Sequence, residues 1–126
     1  ANAIPIAGAR ENPQLMHQAF EKISLALQQD EVVCIFPEGK ITEDGSLNPF
    51  KSGVMKIIEK TPVPVVPLAL RGLWGSFFSR KHGNAMTKWF ARGLFNHIEL
   101  VAGEAIAADK VTLKGLQNAV SCLLGQ

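Results

Sequence analysis

Val32-Val33-Cys34-Ile35-Phe36-Pro37-Glu38-Gly39 decides the reading of this chain. Its first five residues are apolar at both odd and even positions and rich in β-branched side chains, the pattern of a strand covered on both faces. Pro37, which cannot continue a ladder, ends the run, and Glu38 and Gly39 follow at its carboxyl end. In open α/β sheets that end is where ligands bind. Upstream, Asn12-Pro13 supplies a helix cap and a first-turn proline, and Met16, Ala19, Phe20, Ile23, Ala26 and Leu27 recur at helical spacing, predicting an amphipathic helix over about 13 to 29. Cys34 reads as a small buried hydrophobe of the strand.

Downstream, the Asp44-Gly45 and Asn48-Pro49 turn signals precede a short helical pattern from Val54 to Lys60 that Ser52 is placed to cap. Val63 to Leu70 reads as a strand, but Pro64 and Pro67 argue against a central strand hydrogen-bonded along its whole length. His97 to Val101 alternates as a further strand into a Gly103-Glu104-Ala105-Ile106 corner, and a helix from about Thr112 to Leu124 follows. Asn2-Ala3-Ile4-Pro5-Ile6-Ala7-Gly8 reads as the end of a short strand, which Pro5 places at an edge or a strand terminus. The alternation of strand and helix predicts an α/β fold with a mostly parallel or mixed sheet flanked by helices.

The chain has 126 residues, so one domain, or part of one, is expected over 1–126. With 47% hydrophobic and 19% charged residues it has a globular composition. Its net charge of +2 does not point to nucleic acid, which requires a clustered basic surface. Cys34 and Cys122 form neither a disulfide framework nor a thiolate zinc site, and no apolar run reaches the length of a membrane span, so a soluble chain is expected. Gly45 is followed by Ser46-Leu47, not by the Lys-Ser/Thr of a phosphate loop. There is no Gly-x-Ser-x-Gly elbow, and His17, His82 and His97 are too scattered for a metal-binding helix motif. The stretch from Arg71 to Phe95 joins Trp and Phe to Lys and Arg without an acid, which suits either a membrane interface or a core with exposed cations.

Phe36-Pro37-Glu38-Gly39, then Gly45, Phe50-Lys51-Ser52-Gly53 and Val63-Pro64-Val65-Val66-Pro67-Leu68, in that order, resemble the phospholipid/glycerol acyltransferases typified by 1-acylglycerol-3-phosphate acyltransferases. The resemblance runs from Ala3-Ile4-Pro5-Ile6 to the Gly103–Ile106 corner and is nearest to bacterial members fused to a transporter-like segment and an acyl-carrier ligase. It implies phospholipid biosynthesis or remodelling, with an acyl chain passing from acyl-carrier protein or coenzyme A to the hydroxyl of a lysophospholipid or glycerol phosphate. No cofactor is implied beyond that acyl donor. It further implies work at the cytoplasmic face of the inner membrane in a full-length parent.

For residues, the resemblance implies that Glu38 and Gly39 hold the acceptor, that Lys51 offers a point charge to its phosphate, and that Arg10 and Lys40 stand near as further cations. The family's catalytic block is His, four residues, then Asp. The corresponding positions after the three histidines here are Lys22, Thr87 and Ala102, so no catalytic residue is assigned within the chain, which reads as a fragment without activity of its own. An Arg that commonly follows the motif glycine by two positions is replaced by Ile41. The competing reading is a non-catalytic module that binds phosphorylated glycerolipids in the same strand-end crevice.

Overall fold

A computed structural model of the chain describes Ile4 and residues 11–39, 46–72 and 98–125. In chain order these form helix α1 (Pro13–Gln28), helix α2 (Gly53–Lys60), strand β1 (Leu68–Arg71), strand β2 (Glu99–Ala102), a single 3-10 turn (Ala108–Lys110) and helix α3 (Leu113–Leu124). The α1 cap is the one its sequence encodes: Asn12 accepts the Leu15 amide at 3.0 Å, with Pro13 opening the helix. Thr112 caps α3 by accepting the Gly115 amide at 3.0 Å, and Gly125, at φ +80°, ends it in the left-handed conformation. Ser52 does not cap α2. It already has helical dihedrals, which turn its side chain away from the first-turn amides.

The described strands pair antiparallel, with Leu68 opposite Ala102 and Arg71 opposite Glu99. An α/β composition of helices on a small sheet is therefore present, and the one pairing among the described residues is antiparallel rather than parallel. Beyond β1 the ladder resumes at a bridge between Val65 and Ile106, each of which donates to the other's carbonyl, at 2.9 and 2.8 Å. Between this bridge and the Gly103 amide bonded to Pro67 O, Glu104 and Ala105 stand opposite Val66 alone. The predicted corner is thus a β-bulge, one extra residue on one strand. Pro64 stands beside the bridge where its nitrogen points away from the partner, and Pro67 takes part through its carbonyl alone, accepting the Gly103 amide, so the two prolines cost this ladder one bond.

The core is built from Phe50, Val54, Ile58, Val111 and Leu116, with Ile35, Val65, Ile106, Leu113 and Val120 packed against it. Around it, α1 buries Ala19, Ile23 and Ser24, and the Ser24 hydroxyl meets that of Thr61 just past α2. Glu21 and Lys60 pair on the outside of these two helices, and that ammonium lowers the Glu21 pKa. At the other end, Arg71 donates from Nε to the Leu123 carbonyl and ties β1 to the last turn of α3. No helix among the described residues is long and apolar enough to cross a membrane.

Residues 32–36 correct the expectation of a strand covered on both faces. The segment is extended, but no described strand is bonded beside it, and burial alternates along it. Val33 and Ile35 turn inward, Ile35 onto the core, whereas Val32 is 97% and Phe36 79% exposed. Cys34 shares the outer face, so it is an exposed thiol and not a buried hydrophobe. A core that lies on one side of this segment can bury only every second residue. Leu116→Ala, at 4% exposure, is expected to cost about 2–5 kcal/mol, whereas Val32→Ser should stay within about 0.5 kcal/mol of the parent. Urea unfolding of both variants measures the contrast, and a large loss for Val32→Ser would contradict the one-sided packing.

Candidate functional site

The extended segment ends in a tight turn in which the Gly39 amide donates to Phe36 O at 3.1 Å, with Pro37 and Glu38 at the two central positions. Pro37 pre-sets the first of these. Asp30 is the one described non-glycine residue with positive φ, so Glu38 keeps a negative φ and the turn is not of type II. Gly39 leaves the turn at φ +66°, a conformation that side chains with a Cβ rarely adopt.

From this turn the Glu38 carboxylate reaches across ten positions of sequence, and its Oε2 accepts the Asn48 amide at 2.7 Å. The Lys51 amide donates to the Pro37 carbonyl at 2.8 Å. The Phe50 amide donates to Oε1 of Gln117, on α3, at 3.2 Å. Pro49 has no amide to offer, so every backbone N–H from Asn48 to Lys51 is engaged. The segment is fixed against the turn from one side and against α3 from the other, and the buried ring of Phe50 pins its middle.

The Lys51 side chain folds back over the turn. A Cβ on Gly39 would lie 3.0 Å from Lys51 Nζ and 3.1 Å from its Cε, so the missing side chain at 39 makes room for the ammonium. Glu38 and Lys51 thus present a carboxylate and an ammonium at one turn without being joined in an ion pair. Of the two, Glu38 is half-buried and Lys51 exposed. An open crevice of about 1360 Å³ runs from this turn between residues 32–38 and 63–72, walled by Ile35, Phe36, Val65, Leu68 and Leu70. Its mostly apolar wall, with the Glu38 carboxylate at the turn, suits a ligand that has a charged or hydroxylated head and an aliphatic body.

Of the residues expected to bind, Glu38, Gly39 and Lys51 are brought together at this turn. Arg10 and Lys40 lie outside the described residues, as does the aromatic, basic stretch from residue 73 to 95. His17 is exposed on α1, 3.8 Å from Glu21, far in the chain from the turn and without a catalytic partner. Asn48 and Gln117 escaped the reading of the sequence. The first is hidden in a turn signal, and its Nδ2 is buried without a hydrogen-bond partner. The second stands out only as a polar residue on the apolar Leu113, Leu116, Val120 face of α3. No group of three or more possible metal ligands occurs among the described residues.

A family model described as Acyltransferase matches residues 2–71, more than half of the chain. Among curated proteins, a probable 1-acyl-sn-glycerol-3-phosphate acyltransferase of Mycoplasma pneumoniae is 33% identical over 72 residues, covering 57% of this chain and 27% of that protein. The chloroplastic 1-acyl-sn-glycerol-3-phosphate acyltransferase of Brassica napus is 38% identical over 63 residues, 50% of this chain and 18% of that protein. The mouse 1-acyl-sn-glycerol-3-phosphate acyltransferase alpha is 36% identical over 55 residues, 44% and 19% respectively. The chain therefore spans roughly a fifth to a quarter of the length of these relatives. No solved structure gives a significant match.

Gly39→Ala should be costly twice over, through its left-handed backbone and through the crowding of Lys51. The backbone part alone is about 1–2 kcal/mol. In a Lys51→Ala background the crowding disappears and only that part should remain, so urea unfolding of the two singles and the double separates the contributions. Additive losses would show that Lys51 does not fold over the turn.

Proposed function

Because this chain belongs to the acyltransferase family, we propose that its protein transfers an acyl chain from acyl-carrier protein or coenzyme A to the free hydroxyl of a lysophospholipid or glycerol phosphate, and that residues 32–53 hold the acceptor. The observation that carries the proposal is the turn at Gly39, which has the Lys51 ammonium laid over it and sets Glu38 in the wall of an apolar crevice. In this reading Glu38 accepts a hydrogen bond from the acceptor's glycerol, Lys51 neutralises its phosphate, and the crevice takes the aliphatic chain. The relatives' names, 1-acyl-sn-glycerol-3-phosphate acyltransferases, support a phosphorylated glycerolipid as acceptor. Arg10 and Lys40 would add positive charge around that phosphate. The same reading treats 1–126 as part of one domain with a mostly parallel or mixed sheet, working at the cytoplasmic face of the membrane.

In the transfer, the acceptor oxygen attacks the thioester carbonyl carbon, the carbon–sulfur bond breaks, and the hydroxyl proton passes to a base and on to the departing thiolate. The base of this family is the histidine of its His-x-x-x-x-Asp block, which no histidine of these 126 residues forms. The chain by itself should accordingly show no acyl transfer to lysophosphatidate above a heat-killed control with either donor. Turnover by the isolated chain would defeat that part of the proposal.

Glu38 supplies the direct test in the intact protein. Glu38→Gln keeps size and part of the bonding, whereas Glu38→Ala removes both, so the loss should grade from Gln to Ala. A charge-assisted hydrogen bond is worth about 1.5–3 kcal/mol, so Glu38→Ala should lower acceptor kcat/KM roughly ten- to a hundred-fold with donor KM little changed. Because Glu38 also holds the Asn48 amide, melting temperature is measured alongside. A variant that melts early yet keeps its acceptor efficiency would reduce Glu38 to a loop anchor.

A further inference from the structure

The third polar tether of the 48–51 segment comes from a helix 67 positions away in sequence, and it holds the residue next to Lys51. Gln117 lies on the face of α3 that also carries Leu113, Leu116 and Val120, all packed into or against the core. A glutamine on such a face gives up water for its amide and is tolerated where that amide is used. Its Oε1 is used: it takes the Phe50 N–H at 3.2 Å. The other two tethers, Asn48 to Glu38 and Lys51 to Pro37, are internal to the turn and its own loop. Gln117 is thus the polar link, among the described residues, that fixes this segment to a separate element of the fold.

We propose that Gln117 is a positioning residue for the acceptor site: by holding the Phe50 amide it fixes the Pro49–Phe50 peptide plane, one residue before Lys51, and so helps to keep the ammonium over Gly39. The inference rests on the phosphate-binding role proposed for Lys51. Without the Gln117 acceptor, the Pro49–Phe50 peptide can turn toward another partner, which leaves the bond from the Lys51 amide to the Pro37 carbonyl to place the lysine. The Phe50 ring, held separately by the core, remains in place. The effect therefore falls on recognition of the phosphate and spares the chemical step.

The test compares Gln117→Leu, Gln117→Glu and Lys51→Met in the intact protein, singly and with Gln117→Leu and Lys51→Met combined. The substrates are lysophosphatidate and the monoacylglycerol that lacks its phosphate, and melting temperature is recorded for each variant. Gln117→Leu is expected to raise KM for lysophosphatidate roughly five- to tenfold, the scale of one lost hydrogen bond, with kcat within about twofold and monoacylglycerol KM unmoved. Gln117→Glu keeps the acceptor oxygen and should stay near the parent, which keeps the idea testable if the leucine variant folds poorly. In the Lys51→Met background, Gln117→Leu should add nothing further. An equal KM increase in both backgrounds, or for both substrates, would overturn the inference while leaving the Lys51 role intact. Parent-like KM in Gln117→Leu beside an impaired Lys51→Met would do the same, and so would a Gln117→Glu variant as impaired as the leucine one. Parent-like kinetics in Lys51→Met would overturn the Lys51 role and this inference with it.

Discussion

The burial of Phe50 is the constraint on which the remaining structure depends. Its ring joins α2, through Val54 and Ile58, to α3, through Leu116, while its own backbone lies in the segment that faces the Pro37–Gly39 turn. A single aromatic side chain thereby makes the hydrophobic core and the polar turn share one stretch of backbone. The amides on either side of it are consequently near fixed acceptors: the Glu38 carboxylate before it and the Pro37 carbonyl after it. Each hydrogen bond alone is modest, but bonds within one short segment reinforce one another, because ordering any of them lowers the entropy that the others must overcome.

This arrangement gives Glu38 two roles that do not conflict. One carboxylate oxygen is committed to the Asn48 amide, an interaction that orients the side chain before any ligand arrives. A carboxylate has lone pairs for several donors, so holding a loop and receiving a hydroxyl are compatible. Preorganisation of this kind reduces the ordering cost of binding. Lys51 is arranged differently, with its backbone bonded and its side chain laid over a glycine. Its charge is placed by the absence of an obstacle as much as by an attraction.

The helices were legible in the sequence because their signals are local. Asn12-Pro13 before a 3.6-residue apolar period acts within one turn of the chain and is found in place as a cap, and Thr112, read as the approximate start of the last helix, is its cap. The turn at Pro37–Gly39 was legible for the same reason. The covering of Val32 to Phe36 was not, since an apolar run records what a segment tolerates and not what stands beside it; here the core covers one side and leaves Cys34 and Phe36 outward. Strand direction was equally hidden, because alternation of apolar residues is the same for parallel and antiparallel partners. The Ser52 cap failed because a hydroxyl at the right position still needs extended backbone to point at the first-turn amides. Gln117 was hidden by distance: nothing near Phe50 in the sequence announces an acceptor on α3.

The bulge opposite Val66 has a consequence for how this chain can vary in length. Before it, Val101 and Gly103 face inward; after it, Ile106 and Ala108 do, so the inward parity changes from odd to even across the two exposed residues Glu104 and Ala105. Everything beyond, including the Ile106 bridge and the approach to Val111 and α3, is in register with the core only because of that extra residue. Loss of one residue here would put the two halves of the strand out of phase and turn Ile106 toward solvent. The bulge thus acts as a frame-setter: single-residue insertions or deletions between Gly103 and Ile106 should be rejected far more strongly than substitutions of the exposed Glu104 or Ala105.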